Sequence, residues 1–497
     1  MIRTALAATA LLLAAVPAAA QNQQEALAAR YDRALAAGYK ALMLCGAIAN
    51  AEANGTVRTP DSVTQWELTG IQAPLDAIVP NLPHEVVWAQ PFADGNEPPY
   101  GELSLEEVLG ADDLSEEEER EIRAAFAAYV PSRPVFSHVA VTWAEDMPPR
   151  WASYRPGKGC LLAPIGLKVM TGDVVVADPP TVASRPRVAA TQRQAALDPV
   201  LRMALGSDYG EGSRTTALLV LRDGEPISEA YQSGFDPATP QRTWSVAKSI
   251  AATLVGAAVH KQQIDVNAPG VHDAWLVDAR NAITIDHLLR MASGRYSDTP
   301  GNRTDPLYWG GSTVEESAAI WPLIHQPGTV FRYANNDTLM AVKAVSDMIE
   351  DFDPAAFFKA LGMTGSVAET DWHSDYILSS QVWTTARDLA KLGQLYLNDG
   401  KLPSGERILP EGWVKYVTTP SGPQPPNGFG YGAGFWLLNR EEGVPPDTFA
   451  ALGNRGQHVV IVPSRKVVIV RRGEDPVGAG FDIAAFTRDV LAALPAE

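Results

Sequence analysis

The run from Ile250 to Val259 reads Ile-Ala-Ala-Thr-Leu-Val-Gly-Ala-Ala-Val. It is apolar nearly all round, so it fits a buried helix rather than a surface one. Just ahead of it stands Thr243-Trp244-Ser245-Val246-Ala247-Lys248-Ser249. On a helix, positions i and i+3 share a face, which puts Lys248 one turn below Ser245 on the same side. A lysine at the mouth of a buried helix is costly unless it is paired or functional. Beside a hydroxyl it can act as the base that turns a weak alcohol into a nucleophile. The structural alternative is an N-cap serine followed by a lysine that snorkels to water. Four residues alone leave both readings open.

A chain of 497 residues exceeds one ordinary domain, and two are expected. With 46% apolar and 20% charged residues the composition is that of a soluble globular protein. A net charge of −18 argues against nucleic acid and against anionic membrane surfaces as partners. Residues 1–20 have the form of a signal peptide: Arg3, an apolar stretch from Ala5 to Val16, and Ala18-Ala19-Ala20 before Gln21. That stretch is short for a membrane span and no other qualifies, so stable membrane insertion is not expected, with an uncleaved anchor as the alternative. The expectation is an exported protein, periplasmic or secreted. In such a compartment the two cysteines, Cys45 and Cys160, point to a disulfide; two buried thiols are the other reading.

Along the chain, residues 21–176 read as a mixed α/β N-terminal domain. Residues 23–53 have a helical pattern and 56–100 are loop-like. Ser115 with Glu118 forms a capping box opening a helix through Tyr129, and Phe136–Trp143 alternates as a strand. Three prolines mark 177–191 as a linker. In 192–497, a helix at about 192–205 precedes strands Thr216–Leu221 and Pro226–Tyr231, joined around Asp223-Gly224 as a hairpin. Ile283–Gly294 reads as a short helix closed by its glycine, with further helices at 337–350, 384–399 and 482–493. Gln457–Val462 and Lys466–Arg471 read as strands. Strands at both ends with helices between them imply one sheet built from distant segments, around a mainly helical insertion.

Several segments then recur in a fixed order. Trp244-Ser-Val-Ala-Lys-Ser249 is followed by Ile283–Gly294, by Pro327-Gly-Thr-x-Phe-x-Tyr333-x-Asn335, by the Ala386–Gly400 helix, and by Phe449-x-Ala-x-Gly453-Asn454-x-Gly456-Gln457. With the Leu221-Arg-Asp-Gly hairpin, this set resembles the serine β-lactamase and penicillin-binding protein superfamily over roughly residues 190–495. The closer resemblance is to class C-type members: esterases, D-aminopeptidase-like enzymes and the nylon-oligomer (6-aminohexanoate-dimer) hydrolases. The segments around Cys45 and Cys160 resemble an extension found on some periplasmic serine hydrolases.

The resemblance implies an α/β (α+β) fold, with a β-lactamase/transpeptidase-like antiparallel sheet flanked by helices and a mixed N-terminal domain in front. It implies that Ser245 forms an acyl-enzyme, with Lys248 and Tyr333 as general acid and base in an order it leaves open. Lys248 would be kept near neutral by burial and by neighbouring positive charge or dipole. Asn335 would touch the substrate amide or Lys248, or else cap the following helix. Gly453, Asn454 and Gln457 would border the substrate, and the backbone N–H groups of Ser245 and Asn454 would hold the oxyanion. His287 is expected to be structural, and Tyr296 is a weaker candidate for substrate contact.

One departure matters. Ala451-Leu452-Gly453 stands where many relatives carry Lys-Thr-Gly or His-x-Gly. The missing lysine is the β-lactam carboxylate contact, which favours a small-molecule ester or amide instead. A β-lactamase or D,D-peptidase acting on cell-wall-like substrates is the nearest rival, and a non-catalytic peptide- or acyl-binding protein the more distant one. The sequence has no G-x-S-x-G, no H-E-x-x-H, no P-loop and no G-x-G-x-x-G after a strand, so neither a metal nor a cofactor is expected. Oligomeric state is left undetermined.

Overall fold

A computed structural model describes the backbone of residues 2–89, 108, 109, 114–128, 135–168, 194–261, 264–296 and 304–495. Its centre is a seven-stranded antiparallel sheet of β5 (Thr215–Arg222), β6 (Glu225–Tyr231), β10 (Gly430–Tyr431), β11 (Trp436–Leu437), β12 (Phe449–Gly453), β13 (Gln457–Val462) and β14 (Val467–Gly473), in the order β10-β11-β12-β13-β14-β5-β6. A small sheet joins β7 (Gln241–Arg242), β8 (Val367–Ala368) and β9 (Val382–Thr384), with β9 in the middle. Strands from both ends of this region therefore meet at β14–β5, where Val467 pairs with Arg222 and Arg471 with Leu218.

The central strands are buried on both faces, and the period-2 alternation of strand side chains divides them between two cores. Leu219, Leu221, Val459, Ile461, Val468 and Val470 face the helical insertion. Leu218, Val220, Val460, Val462, Val467 and Ile469 face the helices Asp198–Leu205 and Ile483–Ala493. The expected hairpin closes through Asp223 at φ 51° and Gly224 at φ 84°. Two successive left-handed residues make the turn that matches strand twist, which is why Asp-Gly belongs there.

The N-terminal region forms a four-stranded sheet, β1 (His84–Ala89), β2 (Val135–Val141), β3 (Arg150–Arg155) and β4 (Gly159–Leu162), in that order. The helix Ile2–Ala53 lies against β2, β3 and β4. By length and composition its Ala20–Ala53 stretch could cross a membrane, but its apolar window is wholly buried inside the protein. One apolar cluster runs from Ala34 of this helix to Val470 of β14, so the N-terminal region and the large sheet share a core.

A disulfide joins Cys45 to Cys160. It closes a long loop, with 115 residues of sequence separation, and so removes much conformational freedom from the unfolded chain. Replacing both cysteines with alanine is expected to lower the unfolding free energy by about 4 kcal/mol, read as an earlier urea midpoint.

Three expectations need correction. Residues 56–100 are not simply loop: they hold helices Pro60–Trp66 and Leu75–Ile78 and the strand β1. These elements are too short for periodicity to reveal, and β1 is a half-exposed edge strand. Gly294 does not close the helix of its segment, which spans only Ile285–Leu289; the chain turns instead through Met291 at φ 58°. Here a methionine takes the left-handed position usually given to glycine, packed in the core at 1% exposure. Asn335 does not cap the next helix but is its first residue, Ala334 being the cap. The capping box of Ser115 and Glu118 is present with both reciprocal bonds. The 177–191 linker lies outside the described residues.

Candidate active site

The buried helix predicted from its apolar run spans Val246–His260, with Ser245 at the N-cap position. Ser245 makes no side-chain capping hydrogen bond, which removes the purely structural reading of the serine. Trp244 before it has φ 50°, an uncommon conformation for a bulky residue. It is held by the Arg242 guanidinium, 4.3 Å from its ring centre, and by Trp309 at 6.1 Å.

Lys248 does not snorkel. It is 2% exposed, and its Nζ has three neighbours: Ser245 Oγ at 3.0 Å, Asn335 Oδ1 at 2.6 Å and the Ser379 carbonyl oxygen at 3.0 Å. Two of these can only accept. A neutral lysine therefore donates both its protons to Asn335 and Ser379 and turns its lone pair to the one partner with a proton to give, Ser245. Burial pushes the Lys248 pKa down to about 7. The cause is desolvation of the charged form, the burial part of what the resemblance implied.

Tyr333 lies across the site, its ring centre 5.1 Å from Lys248 Nζ. The rings of Tyr431 and Trp436 pack on it at 5.9 and 5.2 Å. Desolvation raises its pKa to about 12, opposed in part by hydrogen bonding with Ser245 and Trp436. Asn335 is fixed from both ends, since its Nδ2 donates to Thr304 Oγ1 at 3.2 Å while Oδ1 accepts from Lys248.

The end of β12 touches the start of the Val246–His260 helix. A Cβ on Gly453 would lie 2.5 Å from the Thr243 carbonyl oxygen and 3.0 Å from the Ser245 and Val246 nitrogens. Only glycine allows this approach, and it brings Asn454 beside Ser245 at one cavity. That cavity, of about 800 Å³, is lined by Ser245, Tyr333, Asn335, Gly453 and Asn454 together with Trp244, Tyr308, Trp309, Phe429 and Trp436. No backbone carbonyl among the described residues takes the Ser245 N–H.

Gln457 is not part of this cavity. It is fully buried, its amide donates to the Gly473 carbonyl oxygen, and its Oε1 accepts from Arg472 Nε at 2.6 Å. Its position as first residue of β13, pointing between strands, gives it a structural task. Tyr296 also lies elsewhere, packed on Trp321. His287 forms a capping box with Thr284, a structural role. Ser379, Ser380, Tyr308 and Trp436 were not singled out from sequence; a main-chain acceptor such as the Ser379 carbonyl has no residue-type signature. No group of three or more His, Cys, Asp or Glu among the described residues is placed to hold a metal.

An antiparallel sheet flanked by helices, with the helix that carries Lys248 behind Ser245 packed against strand β12, is the β-lactamase/transpeptidase-like fold. The chain belongs to the β-lactamase family, whose profile matches residues 205–493, well over half its length. It is 26% identical over 300 residues to the 6-aminohexanoate-dimer hydrolase of Paenarthrobacter ureafaciens, covering 54% of this chain and 74% of that one. Among solved structures, a Bacillus anthracis protein provisionally assigned as a 6-aminohexanoate-dimer hydrolase matches with a TM-score of 0.50 and 22% identity, over 59% of this chain and 81% of that one. A provisionally assigned β-lactamase from Bacteroides dorei matches with a TM-score of 0.50 and 19% identity, over 60% and 98%. The family and the curated relative are hydrolases; the two solved structures speak to fold.

Proposed function

We propose that this protein is an exported serine hydrolase that cleaves a small amide or ester through an acyl-enzyme on Ser245. The carrying observation is the hydrogen-bond set of Lys248, in which Ser245 is the one partner among the described residues able to donate a proton to it. Ser245 Oγ attacks the carbonyl carbon as its proton passes to Lys248 Nζ. The developing oxyanion is met by the N–H groups of Ser245 and Asn454, such donors contributing on the order of 3 kcal/mol each. Tyr333, protonated at neutral pH because of its raised pKa, relays the proton to the leaving nitrogen or oxygen. Water then attacks the acyl-enzyme along the reverse proton path. The curated relative's name favours the amide among the two bond types. The buried disulfide and the apolar N-terminal segment support export.

This assignment has a pH signature. The active form has neutral Lys248, so kcat/KM of the free enzyme rises as pH passes upward through about 7 and then levels. If a tyrosinate were the base, the rate would instead keep climbing toward the Tyr333 value of about 12. A pH profile from 5 to 10 on a chromogenic ester separates the two.

The β-lactamase or D,D-peptidase reading is less well supported, because no lysine or arginine lines the cavity among the described residues to take a substrate carboxylate. Intact-mass measurement after incubation with a fluorophosphonate, a chromogenic ester and a chromogenic cephalosporin tests all three readings. An adduct on Ser245 with ester turnover supports the proposal. Fast cephalosporin turnover would restore the lactamase, and neither adduct nor turnover would favour a binding protein.

A further inference from the structure

The family match begins at residue 205, yet the cavity that holds Ser245 is also lined by residues far ahead of it: Asp32 and Leu35 of the N-terminal helix and the segment Gln72–Leu75. These residues are anchored firmly. A Cβ on Gly38 would lie 1.9 Å from the Trp309 carbonyl oxygen, and the Tyr39 and Trp309 ring centres are 4.7 Å apart. Trp309 itself lines the cavity and packs on Trp244, the residue before the nucleophile. From the other side, Arg455, next to Asn454, donates to the carbonyl oxygens of Trp66 and Thr69, each at 2.8 Å. The Val477 N–H donates to the Gly70 carbonyl oxygen at 2.8 Å, and Val477 also lines the cavity.

We infer that the N-terminal region is a wall of the active-site cavity, and that its Asp32 selects the charge of the substrate, admitting small amides or esters with a cationic or neutral far end and disfavouring anionic ones. Asp32 is half-buried, forms no ion pair among the described residues, and shares the cavity with a second aspartate, Asp305. Leu35, Leu75, Trp309 and Val477 in the same lining lower the effective dielectric around it, which strengthens its field on a ligand. With no described lysine or arginine in the lining, a substrate carboxylate meets repulsion and finds no cation. An ammonium finds a partner in a partly dry pocket. The inference rests on the proposed reading of the cavity as the substrate site.

Binding to the full chain carrying Ser245→Ala, where no turnover interferes, tests it. The probes are linear amides of five and seven carbons whose far end is an ammonium, a methyl or a carboxylate, measured by calorimetry. Each unit of charge is expected to shift affinity about tenfold, so the ammonium and carboxylate probes differ about a hundredfold in Kd. In Asp32→Asn that ratio should fall to about ten, and in Asp32→Lys the carboxylate should bind as well as or better than the ammonium. Thermal melts confirm that each variant is folded. A ratio that stays within twofold across the three proteins overturns the inference, as does no measurable binding of the ammonium probe to the parent. Ester hydrolysis is assayed separately on protein with Ser245 intact. Loss of hydrolysis with the charge ratio preserved would sink the catalytic reading alone; hydrolysis with no charge ratio would sink this inference alone.

Discussion

Ser245→Ala is expected to lower kcat/KM for any ester or amide the protein turns over by about 10⁴-fold or more, leaving the fold intact. The size follows from the loss of the only group that bonds to the acyl carbon; what survives is the modest catalysis of the oxyanion site and of binding. The fold should hold because Ser245 makes no capping bond and is not fully buried. Lys248 keeps its bonds to Asn335 and Ser379 in the variant. Steady-state kinetics with circular dichroism melts check both halves. Turnover at more than a few per cent of wild type in the purified variant would remove Ser245 as nucleophile.

Lys248→Met carries the second large effect. A general base contributes typically 10²–10⁴-fold, and a drop of about 10³-fold in kcat/KM is expected, with loss of the rise near pH 7. Methionine fills a similar volume, but the Asn335 amide oxygen and the Ser379 carbonyl lose a donor. Lys248→Arg separates the two roles: it keeps a donor but stays charged in this range. If proton transfer matters most, arginine is as inactive as methionine. If Lys248 only positions its neighbours, arginine retains much of the rate and the pH profile is unchanged. That second outcome would reassign the base.

Much of the large sheet was legible before any coordinates. Asp223-Gly224 marked the hairpin, and the Thr216–Leu221 and Gln457–Val462 runs marked strands of one sheet built from distant segments. The terminal helix was read to within a residue or so. The errors have physical reasons too. A positive φ at Met291 breaks the rule that glycine ends helices, because the core holds methionine there more firmly than backbone preference opposes it. Gln457 shared a motif with Gly453 and Asn454, but it opens β13 on the far side of the turn at Asn454–Gly456, where the Gly473 carbonyl oxygen and Arg472 of β14 engage its amide.

Local order along the chain determined the buried helix after Ser245, the i,i+3 placement of Ser245 and Lys248, the hairpin, and the cysteine pair as candidates for a bond. These depend on periodicity and residue type within a few turns, which a linear sequence carries in full. Tertiary structure decided three further things. It decided that Lys248 is dry and so close to neutral, because desolvation depends on everything packed around it. It supplied Ser379, 131 residues further on, as the acceptor that orients the lysine lone pair. And it brought Asp32, Leu35 and Gln72–Leu75 to the cavity edge, a meeting of distant segments made by the shared core and by Arg455.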